Sequence, residues 1–210
     1  MLMLASASVA RHQLLEKAGI PHLVMPSGLE EEGFHRSDAL KMAANLALAK
    51  ANAVANKLVC EDLDCNAYNK INSVLGCDSL FVFQDEIWGK PRDSEEAFER
   101  WARISSKSGF LITGHALLFS TSIGDREREI GLVLNRSIQH VVSTRVEFEE
   151  LTSQEIEQYV STGEPLKCAG GFTLEGKGSI FIRGIDGCYS NVIGLSLPWL
   201  KKALVIAGIE

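Results

Sequence analysis

Gly76-Cys77-Asp78-Ser79-Leu80-Phe81-Val82-Phe83-Gln84-Asp85-Glu86-Ile87-Trp88-Gly89-Lys90-Pro91-Arg92-Asp93 is the stretch from which the rest of the chain is read. Apolar runs at residues 74–77 and 80–83 predict two short buried strands, and the polar pair Gln84-Asp85 predicts a reversal before Ile87-Trp88. Asp78 and Lys90 then stand at the two ends of a hairpin, facing one another at the rim of a sheet. A carboxylate that holds a divalent metal or polarises a water, beside a cation that neutralises phosphate oxygens, is the minimum equipment for hydrolysing a phosphoric anhydride. A strand-end Asp and a Lys before Pro also serve in many enzymes as plain turn and solubility residues, so other segments must carry part of the argument.

The whole chain bounds the answer first. At 210 residues it suits one compact unit over residues 1–210. Hydrophobic residues at 46% and charged residues at 23% are ordinary for a soluble globular protein and exclude disordered, collagen-like and membrane classes. A formal net charge of -6 argues against a general DNA or RNA coat and leaves room for a local basic pocket that takes a nucleotide. Met1-Leu2-Met3-Leu4 has no basic residue ahead of it, so no signal peptide is expected, and no apolar run approaches the roughly 20 residues that span a bilayer. Cys60, Cys65, Cys77, Cys168 and Cys188 are scattered, odd in number and without a Cys-x-x-Cys pair. They point to a reducing cytosol, with neither a disulfide framework nor a zinc site.

From the N-terminus, residues 2–7 predict a strand, and Ser8 caps a helix that carries Leu14, Leu15 and Ala18 inward until Gly19. A strand running into a capped helix makes an anion site from unpaired first-turn N–H groups, to which Ser6, Ser8 and Arg11 add donors. Alternatively, Ser8 only caps and Arg11 is solvated. Glu30-Glu31-Glu32 reads as a solvated loop or as further metal-binding oxygens that join Asp78. Ser37 is read as the cap of a long helix packing Ala39, Leu40, Ala43, Leu46, Ala47 and Val54, with Lys50 near that face, either snorkelling at the core edge or bonding a ligand. Residues 58–72 read as a surface connection, and Ser94 opens a helix that packs Ala97, Trp101 and Ile104. Residues 109–148 suggest three antiparallel strands.

Thr152-Ser153-Gln154-Glu155 is a capping box, and Gly163 ends its helix. The glycine-rich passage from Pro165 to Gly178 suggests backbone that approaches a flat ligand closely or adopts positive φ, without the order of a dinucleotide fingerprint. Residues 179–183 predict a strand, and Pro198 a closing helix through Ala207.

In their order these stretches resemble the Maf family of nucleoside triphosphate pyrophosphatases, also called septum formation inhibitor proteins, along nearly the whole chain. The matches are Leu4-Ala5-Ser6-x-Ser8 with Arg11, Glu30-Glu31, Leu48-Ala49-Lys50-Ala51, Gly76-x-Asp78, Gly89-Lys90-Pro91-x-Asp93, Thr113-Gly114, Leu151-Thr152 with Glu155-Ile156 and Tyr159, Gly163-Glu164-Pro165, Ala169-Gly170, Gly176-x-Gly178 and Gly194-Leu195. The resemblance implies an α/β fold of Maf/ITPase-like type, a mixed sheet with flanking helices and two lobes around a central cleft. It implies a homodimer that converts a nucleoside triphosphate to the monophosphate and pyrophosphate with Mg²⁺, Mn²⁺ or Co²⁺; the expectation of a cytoplasmic protein acting on neither nucleic acid nor membrane comes from the absent signals, the unpaired cysteines and the charge. By position, Ser6, Ser8 and Arg11 would hold phosphates, Glu31, Lys50, Asp78 and Lys90 would form the catalytic group, and Asp78 with Glu31 would bind the metal.

Departures from the family pattern bear on the substrate. Ser8-Val9-Ala10-Arg11 stands where members resembling thymidine and uridine triphosphate pyrophosphatases have Ser-Pro-Arg-Arg. Glu175 stands where they have glutamine. An ionised glutamate only accepts hydrogen bonds, which suits the N1–H and N2 amino group of guanine, and a methylated N7 adds favourable positive charge. The passage Cys168-Ala169-Gly170-x-Phe172-x-x-Glu175-Gly176 resembles the branch associated with 7-methylguanosine triphosphate, although that branch has Pro-Trp where this chain has Val9-Ala10. Trp88 or Phe172 is the candidate replacement for the missing aromatic. The alternatives are dTTP/UTP pyrophosphatase action in the same site and, from a different class, a non-catalytic regulator of cell division.

Overall fold

A computed structural model describes residues 1–30, 38–60, 70–120 and 134–209. Seven strands and six α-helices are found among them: β1 (Leu2–Leu4), α1 (Val9–Lys17), β2 (His22–Val24), α2 (Ala39–Cys60), β3 (Ser73–Phe83), β4 (Glu86–Trp88), α3 (Ser94–Ile104), β5 (Ser108–Phe119), β6 (Arg136–Phe148), α4 (Ser153–Ser161), β7 (Ile182–Asp186), α5 (Tyr189–Ile193) and α6 (Leu197–Ala207). One sheet runs β2-β1-β3-β5-β6-β7, with β4 also paired to β3. β1 is parallel to both β2 and β3, and the other pairings are antiparallel, so this is a mixed α/β sheet with helices on both faces. No helix among the described residues is long and apolar enough to cross a membrane.

Alternation along β3 and β5 sorts the core. Val74, Ala116 and Leu118 pack under α2 with Ala47, Ala51 and Val54. Leu75, Cys77, Leu117 and Phe119 face the other way, onto Leu15, Leu200 and Ala203 of α1 and α6. Towards the far end of β3, Phe81, Phe83 and Trp88 join Trp101, Phe148, Tyr159 and Phe172 in an aromatic cluster.

Several sequence expectations change. Residues 74–77 and 80–83 belong to one strand, so Asp78 lies in the middle of β3 and not at a strand end. Its polar side chain does not break the strand because it is satisfied from outside the strand, as shown below. The reversal at Gln84-Asp85 is a two-residue hairpin with both residues in the left-handed region, φ 50° and 65°. Ser94 opens α3 as expected, and Asp93 ahead of it is the cap, accepting from the Glu96 N–H at 2.8 Å. Ser37 lies outside the described residues. Asp38 accepts from the N–H groups of Leu40 and Lys41 at the start of α2, and Leu40, expected on the packed side, is 51% exposed. Residues 109–148 supply two described strands, β5 and β6. The strand expected at 179–183 starts later, at Ile182, because residues Lys177–Phe181 form a 3₁₀ turn. The capping box at Thr152 is present as expected.

Candidate active site

The closeness of α2 to the sheet sets the site. Ala43, Ala47 and Ala51 recur every four residues and place one small face of the helix over Gly76 and Gly114. A Cβ on Gly76 would overlap the Ala47 carbonyl oxygen, and one on Gly114 the Ala43 carbonyl oxygen. Asp78 follows Gly76 by two residues, on the same face, and its Cα partner on β5 is Gly114. Lys50, on the flank of the same helix, donates from Nζ to Asp78 Oδ1 at 2.6 Å, with side chains only 14% and 9% exposed.

Strand pairing opens a gap at this point. On one edge of β3, β1 covers Ser73 to Leu75 and β4 covers Phe81 to Phe83, whereas β5 runs unbroken along the opposite edge. Residues 76–80 therefore have no described strand on that edge, an interval of roughly 16 Å. The last bond from the β1 side is Ala5 N–H to Leu75 O, 2.8 Å. With Leu75 turned that way, alternation turns the backbone N–H and C=O groups of Cys77 and Ser79 toward the gap as well. β1 runs parallel to β3 and delivers Ser6 and Ser8 into one end of the interval. β4 runs antiparallel and delivers Gly89 and Lys90 into the other.

Asp78 and Ser79 are consecutive, so their side chains leave opposite faces of the sheet. Ser79 accepts from Arg11 Nη2 at 2.9 Å and shares a 3.0 Å hydroxyl bond with Thr113. Arg11 also donates from Nη1 to Ser6 Oγ at 3.1 Å and from Nε to Gly194 O at 2.8 Å. Arg11 is buried, contrary to the solvated alternative. Ser8 caps α1, accepting from the Arg11 N–H, while its own N–H donates to Ser6 Oγ. Thus Ser6, Ser8 and Arg11 form one group behind the sheet, Lys50 and Asp78 another in front of it, and the gap lies between them.

Lys90 and Glu175 are exposed, and Glu31 lies outside the described residues. The glycine-rich passage folds onto the segment after β4, with Gly170 N–H donating to Gly89 O at 3.3 Å. The Cys168 thiol is pushed up to about 12 by burial and by the charges of Glu164 and Glu175, with Lys90 acting the other way. Both charges bear on this half-buried thiol. Gly170 and Gly171 take the positive φ expected of this passage, 74° and 75°, and its glycines lie close to protein atoms: a Cβ on Gly170 would press on Phe81, and one on Gly178 on the Tyr159 hydroxyl. Trp88 and Phe172, the candidate stacking aromatics, are each 4% exposed and belong to the core, so neither replaces the missing one.

Thr113, part of a matched motif, forms with Ser79 and Asn191 a unit that the motif itself does not announce. Asn191 donates to Leu111 O, Val142 O and Thr144 Oγ1, and Thr113 donates to Asn191 O. The only local signal is polar residues within apolar strands. His115, fully buried beside Trp199, accepts at Nε2 from the Ser196 N–H at 2.9 Å. Burial, reinforced by the Arg11 charge, pushes its imidazole from 6.5 to about 3. A depressed folded value means stability that is present above about pH 6.5 and lost as pH falls toward about 3, at ~1.4 kcal/mol per pH unit. Urea midpoints measured at pH 7 and pH 4.5 are expected to converge in His115→Gln relative to wild type. Equal acid sensitivity in the two chains would rule His115 out as the source.

The described geometry is that of an α/β protein in which lysine, arginine and serine donors and the Asp78 carboxylate gather along the interrupted edge of β3. Residues 1–206 match the Maf-like protein family, and the chain belongs to it. It is 47% identical over 210 residues to the nucleoside triphosphate pyrophosphatase of a strain of Prochlorococcus marinus, covering 100% of this chain and 99% of that relative. It is 50% identical over 204 residues to the protein of the same name from Parasynechococcus marenigrum, covering 97% and 94% of the two chains. The family expected from the sequence motifs is borne out.

Proposed function

We propose that the chain is a metal-dependent nucleoside triphosphate pyrophosphatase, converting a nucleoside triphosphate and water to the monophosphate and pyrophosphate, and that it acts on 7-methyl-GTP or another non-canonical nucleotide. One observation carries the reading: a Lys50–Asp78 ion pair at 2.6 Å beside an interrupted strand edge that the Ser6–Ser8 and Gly89-Lys90 segments enter from opposite ends. The names of the relatives support the reaction class.

In this reading the triphosphate lies along the gap. Asp78 orients the attacking water and takes its proton, the water oxygen bonds to the α-phosphorus, and the bond from that phosphorus to the bridging oxygen breaks, releasing pyrophosphate. Lys50 and Lys90 stabilise the negative charge that develops on the phosphoryl oxygens. Ser6 and Ser8 donate hydroxyls to phosphate. A guanidinium carries five N–H groups, so the bonds from Arg11 to Ser6, Ser79 and Gly194 are compatible with a phosphate contact too.

Among the described residues no three His, Cys, Asp or Glu side chains cluster around a metal position. Asp78 still suits a hard cation such as Mg²⁺, which binds one or two carboxylates together with substrate phosphates, and Asp78 with Glu31 would hold it. Bound there, the cation would supply charge neutralisation at the phosphates. The reading includes a cytoplasmic homodimer, checked by light scattering of the purified chain.

Glu175 supports the base assignment, as an exposed carboxylate able only to accept. Pyrophosphate release with Mg²⁺ or Mn²⁺ is expected to be most efficient with 7-methyl-GTP in a panel with GTP, dTTP and UTP. Glu175→Gln is expected to lower the 7-methyl-GTP to UTP ratio of kcat/KM by about tenfold or more. Preference of the wild type for dTTP or UTP would overturn the base assignment. Hydrolysis of none of them would favour the non-catalytic regulator.

A further inference from the structure

We propose that Glu164 is a positioning residue: its carboxylate fixes the loop from Thr173 to Gly178 and so sets which nucleobase that loop selects, a role that rests on the reading of Glu175 given above. Glu164 follows Gly163, whose φ of 69° turns the chain out of α4. Four donors converge on its side chain. Oε1 accepts from the Tyr159 hydroxyl at 2.8 Å, the Thr173 hydroxyl at 2.6 Å and the Gly178 N–H at 2.9 Å, and Oε2 accepts from the Lys177 N–H at 2.9 Å.

Two consequences follow from that convergence. Thr173 and Lys177 are pinned to the same carboxylate, so the three residues between them form a closed bow. Leu174 turns into the aromatic core and Gly176 lies against Glu164 and Thr173, leaving Glu175 as the exposed residue of the bow. Gly176 and Gly178 are then required by the winding itself, because a Cβ on Gly176 would overlap Thr173 Oγ1 and one on Gly178 the Tyr159 hydroxyl. Burial is the largest influence on Glu164 and opposes its ionisation. The bonds from Thr173, Gly178, Lys177 and Tyr159 together outweigh it and hold the carboxyl below its ordinary range. An anion so committed to protein donors acts through the loop it holds.

Glutamine at 164 keeps the shape but turns an N–H₂ group toward a donor, because one amide cannot accept with both terminal atoms. The test measures kcat and KM for 7-methyl-GTP and UTP in wild type, Glu164→Gln, Glu175→Gln and the double variant, with hydrogen exchange at the Lys177 and Gly178 amides. Glu164→Gln is expected to lower the 7-methyl-GTP to UTP ratio about tenfold, through KM, with kcat changing less than about threefold. The double variant should be no worse than either single, and amide exchange should speed up in Glu164→Gln while staying unchanged in Glu175→Gln. Glu164→Asp should restore part of the ratio. If Glu164→Gln fails to fold, Thr173→Ala, which removes one of the four bonds, should show the same shift in smaller measure.

Equal loss on both nucleotides, or effects that add in the double variant, would make Glu164 a plain stabiliser of the fold and overturn the proposal. A wild-type chain with no turnover overturns the nucleotide reading instead. The exchange rates then judge the loop by themselves: faster exchange in Glu164→Gln upholds Glu164 as its anchor, and unchanged exchange overturns it.

Discussion

Asp78→Asn is expected to lower kcat for pyrophosphate release by at least about 100-fold while the chain remains folded. The amide has the shape of the carboxylate, and its oxygen can still accept from Lys50 Nζ, but it can neither take a proton from water nor offset the lysine charge. Lys50 loses the charge of this partner and keeps the hydrogen bond, a change of about 1–3 kcal/mol. A domain with a margin of about 5–15 kcal/mol survives that. A loss of activity without a loss of the folded state thus separates the chemistry from the packing. An Asp78→Asn chain that kept more than about a tenth of wild-type kcat would remove Asp78 from the reaction.

Gly76→Ala has the largest expected effect on stability. The new methyl group would overlap the Ala47 carbonyl oxygen and crowd Ala51, both parts of a helix held rigidly by its own hydrogen bonds, so α2 must lift from β3. Overpacking of this kind costs about 3 kcal/mol, which lowers the melting temperature of a chain this size by roughly 6–12 °C. Lys50 rides on α2, so activity should fall with it. Gly89→Ala is the matched control for stability, since a Cβ there meets nothing within 4 Å. If Gly76→Ala melted within about 2 °C of wild type, close helix–sheet contact could not be what sets the Lys50–Asp78 distance.

What was legible in the sequence was what is decided locally. The capping box at Thr152 and the inward spacing of Ala97, Trp101 and Ile104 depend on neighbours within one helix, and both are found in place. β3 shows the limit. Asp78-Ser79 interrupts an apolar run and looks like a strand end, yet the strand continues because Lys50 satisfies one side chain and Arg11 with Thr113 the other, all from distant parts of the chain. The hairpin at Gln84-Asp85 likewise lacks the glycine or asparagine that announces two left-handed residues. The glycine-rich passage was legible only in part: positive φ is found at Gly170 and Gly171. Its residues accommodate Phe81, Tyr159 and Glu164, and a glycine crowded by its own protein reads the same as one crowded by a ligand. Glu164 was visible only as part of a matched motif, since its four donors come together through a loop closure that no spacing rule foretells.

The interrupted edge of β3 also has a mechanical side. A ribbon backed along one border and notched along the other flexes most easily at the notch, and β3 with β5 is such a ribbon across residues 76–80. A rigid polyanion laid across that interval would brace the two ends like a crossbar, taking up the span that a missing strand leaves. On the reading proposed above, Asp78 stands beside that notch, and the nucleotide it acts on serves, for the length of its stay, as a structural member of the sheet.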